Sequence, residues 1–238
     1  MRYSLPLLLG ISLSPVAAGT REPVQRTSTE RVILAPGATL RLEHSVGSLT
    51  VEGWDAPEFE ITITRSTERY YQPDRTEAAD RLEHVRVMTQ RRSDRELVVS
   101  TLLPHRKAHM LPPWPLGARA GAAVEYQIHV PRDTRLVVHH GGGQVLIANL
   151  AGEIEATNSS GDIVVMLPRG DPSVIDAKSR FGVVSSDFGD AAHRWYRLGQ
   201  WFASPSQATT RRIYARVRWG SIVIKEYFSE SNGNADRK

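Results

Sequence analysis

In the second half of the chain a glycine recurs every nine residues. Gly143-Gln144-Val145-Leu146-Ile147 is followed by Gly152-Glu153-Ile154-Glu155-Ala156 and then by Gly161-Asp162-Ile163-Val164-Val165, with apolar residues at the third and fifth places. The same element returns out of phase as Gly47-Ser48-Leu49-Thr50-Val51, as Gly182-Val183-Val184 and as Gly220-Ser221-Ile222-Val223-Ile224. Nine residues suffice for a strand of about five residues and a tight turn, whose glycine permits a positive φ that a Cβ resists. One such strand cannot bury its apolar face, whereas copies stacked about 4.8 Å apart share an interior. The pattern predicts an all-β fold, a β-solenoid of stacked short-strand repeats. An antiparallel β-sandwich is the alternative that short, regular strands also fit.

The rest of the chain reads the same way. Leu40 and Leu42, Leu49 and Val51, and Phe59, Ile61 and Ile63 alternate with polar residues and so share one face of successive strands. Val85 and Val87, then Leu97 and Val99, flank the polar stretch 91–96 like a hairpin with a charged tip. Strands resume at Val124, Tyr126, Ile128 and Val130, and again at Leu136 and Val138. Asp74 with Glu77 fits a capping box ahead of Ala78, Ala79 and Leu82, which predicts one short helix near residues 75–83. Pro104, Pro112, Pro113 and Pro115 break the rhythm and mark a loop insertion at 104–123 beside His105, Arg106, Lys107 and His109.

Arg2, the apolar stretch Leu5–Leu13 and the small residues Ala17 and Ala18 have the form of a secretory signal over 1–18, cleaved near Ala18. This apolar run is shorter than the roughly 20 residues that span a bilayer, and no later segment approaches that length, so no transmembrane segment is expected. Residues 19–30 read as a flexible leader, 31–228 as a single β-repeat domain and 229–238 as a disordered tail. The expected location is outside the cytoplasm, periplasmic or extracellular. With 30 Lys and Arg against 26 Asp and Glu, loss of the segment carrying Arg2 leaves 29 − 26 = +3. That balance lacks the concentrated basic stripe a nucleic-acid partner calls for. The chain has no Cys, so neither disulfides nor lipid attachment through Cys is available.

Gly47-Ser48-Leu49-Thr50-Val51-Glu52-Gly53-Trp54-Asp55, the strand Glu60–Thr64, Val130-Pro131-Arg132-Asp133-Thr134, and the run from Gly141 through Gly152 to Asn158-Ser159-Ser160-Gly161-Asp162-Ile163 carry a resemblance. Over about residues 31–228 the chain resembles the bacterial family known as "putative adhesin", exported β-repeat domains. The resemblance implies a β-solenoid and export, and no reaction. The loop insertions at 104–123 and 191–208 depart from the family pattern and are where anything particular to this chain is expected.

The candidate chemistry is sparse. His139 and His140 are adjacent in a strand and point to opposite faces, and His105 and His109 lie in a Pro-rich stretch without a carboxylate run, so no metal site and no cofactor is expected. Asp162, Asp171, Asp176, Asp187 and Asp190 lie along the repeats, where a carbohydrate-active enzyme on a β-helix pairs carboxylates about 5–10 Å apart. Turn decoration is the other reading of the same residues. No nucleophile elbow, phosphate-binding glycine loop or zinc-protease helix is present. Asn158-Ser159-Ser160 formally matches a glycosylation acceptor but falls in a repeat turn.

The sharpest departure is the aromatic segment, where His193, Arg194, Trp195, Tyr196, Arg197, Trp201 and Phe202 bring rings and bases together. Such rings stack on sugars or settle at a lipid headgroup boundary while Arg engages phosphate or carboxylate. Alternatively they plug one end of the stack, where its apolar interior would otherwise meet water. The expectation is a non-catalytic envelope scaffold, not an enzyme, that presents loops to an envelope polymer, an envelope protein or itself, with peripheral membrane contact allowed. Trp195, Tyr196, Arg197, Trp201 and Phe202 form its binding site, and Gly47, Gly143, Gly152, Gly161, Gly182 and Gly220 its structural repeat. The rival expectation is a polysaccharide lyase or hydrolase.

Overall fold

Alternation of apolar and polar residues builds two sheets around one core. The computed structural model describes residues 24–67, 82–102, 122–189, 193–195, 199–204 and 211–227. The first strands are β1 (Gln25–Ile33), β2 (Thr39–Val46), β3 (Ser48–Trp54), β4 (Glu58–Thr67), β5 (Arg86–Ser93) and β6 (Glu96–Leu102). Next come β7 (Ala122–Pro131), β8 (Arg135–Gly142), β9 (Val145–Ala148), β10 (Ile154–Ser160), β11 (Ile163–Pro168) and β12 (Val174–Phe181). The last are β13 (Val184–Ser186), β14 (His193–Trp195), β15 (Gly199–Ala203), β16 (Arg212–Trp219) and β17 (Ile222–Tyr227). Among the described residues, helical backbone is confined to Leu82 and Glu83. The rest of the expected helix, with Asp74 and Glu77, lies outside the described residues, as do 104–121 of the Pro-rich insertion and the terminal segments 1–23 and 228–238.

One sheet has eight strands in the order β1-β4-β7-β3-β9-β11-β17-β13, the other nine in the order β14-β15-β12-β16-β10-β8-β2-β6-β5, and both are open. Their centres are parallel, from β7 to β13 in one and from β6 to β12 in the other. Their margins are antiparallel: β1-β4-β7, β5-β6 and β12-β15-β14. Inward residues of both sheets, among them Leu40, Leu49, Ile61, Ile128, Leu136, Val145, Ile154, Val165, Ile175, Ile213 and Ile222, join in one buried cluster. Each such side chain contributes roughly 1.5–3 kcal/mol by leaving water. The Tyr126 and Thr101 hydroxyls hydrogen-bond across this core at 2.5 Å, linking the two sheets, and burial raises the Tyr126 pKa.

Each parallel unit is a pair of strands, one per sheet, turned through a glycine. Gly47 joins β2 to β3, Gly143 β8 to β9, Gly161 β10 to β11, Gly182 β12 to β13 and Gly220 β16 to β17, all with positive φ. At Gly143 (φ 119°) a Cβ would lie 1.9 Å from the Gly47 carbonyl oxygen of the neighbouring unit. Glycine is needed there for two reasons at once, handedness and closeness. Polar side chains brace the same corner from inside. Asn158 Nδ2 donates to the Gly143 carbonyl at 2.9 Å, Ser179 Oγ donates to Gly220 at 2.7 Å, and His140 Nε2 contacts Gly47 O at 3.1 Å.

The nine-residue period is therefore half of the structural repeat. Gly143 and Gly161 occupy successive places on one corner, while Gly152, midway between them in sequence, lies at the opposite corner between β9 and β10. Its φ is not in the left-handed region; it is glycine because a Cβ would meet the Thr134 carbonyl at 2.1 Å.

The units do not succeed one another in space as they do in sequence. After β10-β11 the chain skips a place, lays down β12-β13, turns through β14-β15, and returns with β16-β17 in the gap. The layering is that of two mixed sheets facing across a core, sandwich-like, and not a coil advancing one turn at a time. Three further boundaries differ from expectation. β1 begins at Gln25, inside the stretch read as a flexible leader; it is an edge strand, held to β4 by Thr27–Thr64 and Thr29–Thr62 hydroxyl pairs at 3.1 and 3.0 Å rather than by an apolar face. Ala122 and Ala123 belong to β7 rather than to the Pro-rich insertion. Part of the aromatic segment is not a loop but the strands β14 and β15.

Candidate functional site

Strand parity divides the aromatic segment between two tasks. β15 pairs antiparallel with β12, with Trp201 opposite Lys178 and Phe202 opposite Ala177. Phe202 follows the inward parity of Ala177 and is buried in the core. Gln200 Oε1 accepts from the Val184 N–H at 2.8 Å, closing a backbone donor on the edge strand β13. Trp201 takes the other parity and stands on the outer face, 42% exposed. Of the remaining expected site residues, Trp195 falls on the backbone of β14, while Tyr196 and Arg197 lie outside the described residues.

Trp201 borders a groove of about 590 Å³ with Asp176, Lys178, Arg212 and Arg216. Asp176 organises it. The carboxylate accepts from Arg216 Nη2 at 2.7 Å, lies 3.6 Å from Arg212 and takes a hydrogen bond from Trp201. Burial opposes its charge, but the Arg216 hydrogen bond and charge, together with Trp201 and Arg212, outweigh burial and hold its pKa below the ordinary value. The Arg216 guanidinium also lies 3.9 Å over the Tyr214 ring and Arg212 5.6 Å from it. Tyr214 and Arg212 extend the groove into a second depression of about 350 Å³ with Arg135, Glu153 and Glu155. The result is a strip across the nine-stranded sheet that combines ring faces with cations, of which Arg135, Arg212 and Arg216 are paired with the carboxylates of Glu153 and Asp176.

Arg212, Tyr214 and Arg216 were not among the residues expected to form a site. Their signal is plain in Arg212-Ile213-Tyr214-Ala215-Arg216-Val217-Arg218, a strand whose outward set is three bases and a ring. What hides it is that β16 lies beside β12, two places in from β15.

The carboxylates that the rival, enzymatic reading would use are engaged with the chain itself. Asp162 accepts from the Ser221 N–H at 2.7 Å, and Asp187 from the Glu226 N–H at 3.1 Å. Asp171 pairs with Arg211 and accepts from Ser173. Asp190 lies outside the described residues. Asp162, Asp171 and Asp187, which lie outside the strands, are thus bound to the turns around them, whereas Asp176 sits within β12 and pairs with Arg216.

His139 is exposed, but His140 is buried beneath the glycine corner, its Nδ1 2.8 Å from Ser45 Oγ, and burial depresses its pKa to about 4. His105 and His109 lie outside the described residues. Among the described residues no group of three or more His, Asp or Glu side chains is placed to hold a metal ion. Asn158, formally a glycosylation acceptor, is 4% exposed with its amide committed to Gly143, so a folded chain presents no acceptor there.

The fold and site define a two-sheet β protein with an aromatic, cation-rich strip on one outer face. No protein-family model matches the chain. No curated protein matches it. Two solved structures align at low identity. One is titled a "putative cell adhesion protein" from Clostridium sporogenes, at 15% identity and a TM-score of 0.45, covering 85% of this chain and all of that one. The other is titled a "putative adhesin" from Parabacteroides merdae, at 10% identity and a TM-score of 0.24, covering 84% of this chain and 78% of that one. Both superpositions are too loose for a shared fold to follow from them. Among the described residues no helix is long and apolar enough to cross a membrane.

Proposed function

We propose that the chain is a non-catalytic, exported, adhesin-like envelope module that binds an extended anionic surface polymer along the outer face of its nine-stranded sheet. The observation that carries this reading is the outward Trp201, set beside Lys178, Arg212 and Arg216 in an elongated groove that runs on to Tyr214. A ring face suits a pyranose and a guanidinium suits its carboxylate, and neither group needs a reaction to be useful. The scaffold beneath reads as solenoid-like coils of two strands with one returning coil threaded between two others. Export rests on the signal-like segment 1–18, and mass spectrometry of the secreted chain would find its N-terminus near Gly19.

The rival, a glycan-cleaving enzyme, is weakened by the engagement of Asp162, Asp171, Asp176 and Asp187 with backbone and arginine. Binding and turnover assays on the same acidic polysaccharides separate the two. Retention without cleavage is the expected result. Bond cleavage abolished by Asp176→Asn or Asp187→Asn would overturn the binding-module reading.

A further inference from the structure

An open sheet edge is a template on which another chain can pair, and the edges of these two sheets are not alike. β13 and β14 have three residues each, and Gln200 already takes up the Val184 N–H. β5 carries Arg86, Arg91 and Arg92 without an acid, and a bulge interrupts it between Arg91 and Ser93. β1 is nine residues long, pairs with β4 without a register shift, and is exposed at every residue but Val32. The Thr67 N–H donates to the carbonyl of Val24, just before β1, and this fixes the alternation of the backbone. Even-numbered residues from Val24 to Val32 direct their N–H and C=O groups at β4, while Gln25, Thr27, Thr29, Arg31 and Ile33 direct theirs away from the sheet.

Side chains alternate with the same period. Ser28 and Glu30 stand opposite the buried Ile63 and Ile61 and so take the core-side face with Arg26, yet all three are exposed. Three strands lie beyond β3 in one sheet and only two beyond β2 in the other, so no described strand faces β1 across the core. No hydrogen bond or ion pair among the described residues holds the Glu30 carboxylate. Arg26 lies 3.4 Å from Glu83 in an exposed pair that leaves guanidinium donors to spare. Outward from Ser28 the strand is symmetric in its chemistry: Thr27 and Thr29, Arg26 and Glu30, Gln25 and Arg31, Val24 and Val32.

We infer that β1 is a self-recognition edge, through which two copies of this chain join their eight-stranded sheets antiparallel about a two-fold axis at Ser28. In that register the outward backbone groups of Gln25, Thr27, Thr29 and Arg31 pair with those of the second copy. Thr27 meets Thr29 of the second copy on the outer face, as it already meets Thr64 of its own chain. On the core-side face Arg26 meets Glu30 of the second copy, and symmetry repeats the pair. Charge selects this register over its neighbours. An axis at Arg26 or Glu30 sets like charges opposite each other, and one at Thr27 or Thr29 leaves both charges without a partner. Inward charges on an edge strand deter unrelated strands, and here the same charges admit the strand's own copy. This edge belongs to the other sheet from Trp201 and lies at the far end of the stack, so the inference stands apart from the polymer-binding reading.

The chain has no Cys, so an introduced thiol reports the contact without interference. The test follows the mature full chain by sedimentation velocity from micromolar to millimolar concentration, and then Thr27→Cys, Ser28→Cys and Thr29→Cys under mild oxidation. The unmodified chain should dimerise as its concentration rises. Position 28 alone faces itself across the axis, at a non-hydrogen-bonded pair with Cα atoms about 4.5 Å apart, so Ser28→Cys should lock the dimer about tenfold faster than either neighbour. Glu30→Arg and Arg26→Glu should each raise the dissociation midpoint about tenfold or more, and an equimolar mixture of the two variants should associate again, with thermal unfolding confirming that each is folded. A chain that stays monomeric at millimolar concentration would overturn the inference. A dimer in which the three thiols react equally, or which both charge variants leave intact, would place the contact on another surface and overturn it too.

Discussion

The two corners at which the sheets are joined are built by different means. At one, a single residue or two joins the sheets, the backbone makes the turn, and glycine stands in all five units from Gly47 to Gly220. At the other, the connections are longer and side chains hold them. Arg211 donates to the Leu150 and Gly152 carbonyls at 2.5 and 3.1 Å and pairs with Asp171; Arg132 pairs with Asp55 at 2.7 Å; Asp133 accepts from the Gly37 N–H at 2.7 Å. Where the chain is shortest, steric closeness dictates the residue. Where it has slack, charge and hydrogen bonding join in, although closeness still fixes Gly152, where a Cβ would meet the Thr134 carbonyl.

That contrast is open to breakage in graded steps. Gly143→Val should have the largest effect. It forces a branched side chain into a left-handed position 1.9 Å from the Gly47 carbonyl, and a loss above about 4 kcal/mol in urea denaturation is expected. Gly170→Ala, also at positive φ but with open space around it, should cost about 1–2 kcal/mol; equal losses at the two positions would show that φ alone, not closeness, governs the glycine corner. At the opposite corner Arg211→Ala leaves the buried Asp171 without its partner and should cost about 3 kcal/mol. Arg132→Ala, at an exposed pair, should cost less than about 1 kcal/mol by the same measurement.

A smaller and conditional effect belongs to His140. Its folded pKa of about 4 lies below the unfolded value of 6.5, so the folded state favours the neutral ring. The corresponding stability is fully present above pH 6.5 and is lost as pH falls towards 4, by at most about 3 kcal/mol. Denaturation midpoints followed across that window should fall on acidification, and His140→Gln should flatten the slope. An unchanged slope in the variant would place the acid sensitivity elsewhere.

These corners also explain what the amino-acid pattern could and could not disclose. Alternation at Leu40 and Leu42, at Leu49 and Val51, and in the glycine units reports inward faces directly, because a strand has a period of two wherever it lies. Which strand lies beside which is not local information, and nothing in residues 212–227 announces that β16-β17 fills the place between β10-β11 and β12-β13. Gly152 looks like one more member of the glycine series because a close carbonyl and a positive φ both select the same residue. The polar strand β1 was invisible because an edge strand can pair through threonine hydroxyls without an apolar stripe. In the candidate site, Trp201 and Phe202 stood out as rings near bases. Their opposite fates follow from parity, which is readable only once β15 is known to be a strand. The partnership of Trp201 with Asp176, Arg212 and Arg216 depends wholly on sheet order.

The most direct measurement of the central claim is isothermal titration of polygalacturonate into the mature chain and into Trp201→Ala combined with Arg212→Gln, repeated at two salt concentrations. Saturable binding that weakens with salt, and that falls about tenfold or more in a variant of unchanged thermal stability, is the predicted result. Equal affinity of both proteins for the polymer would contradict the account of the outer face as its binding surface.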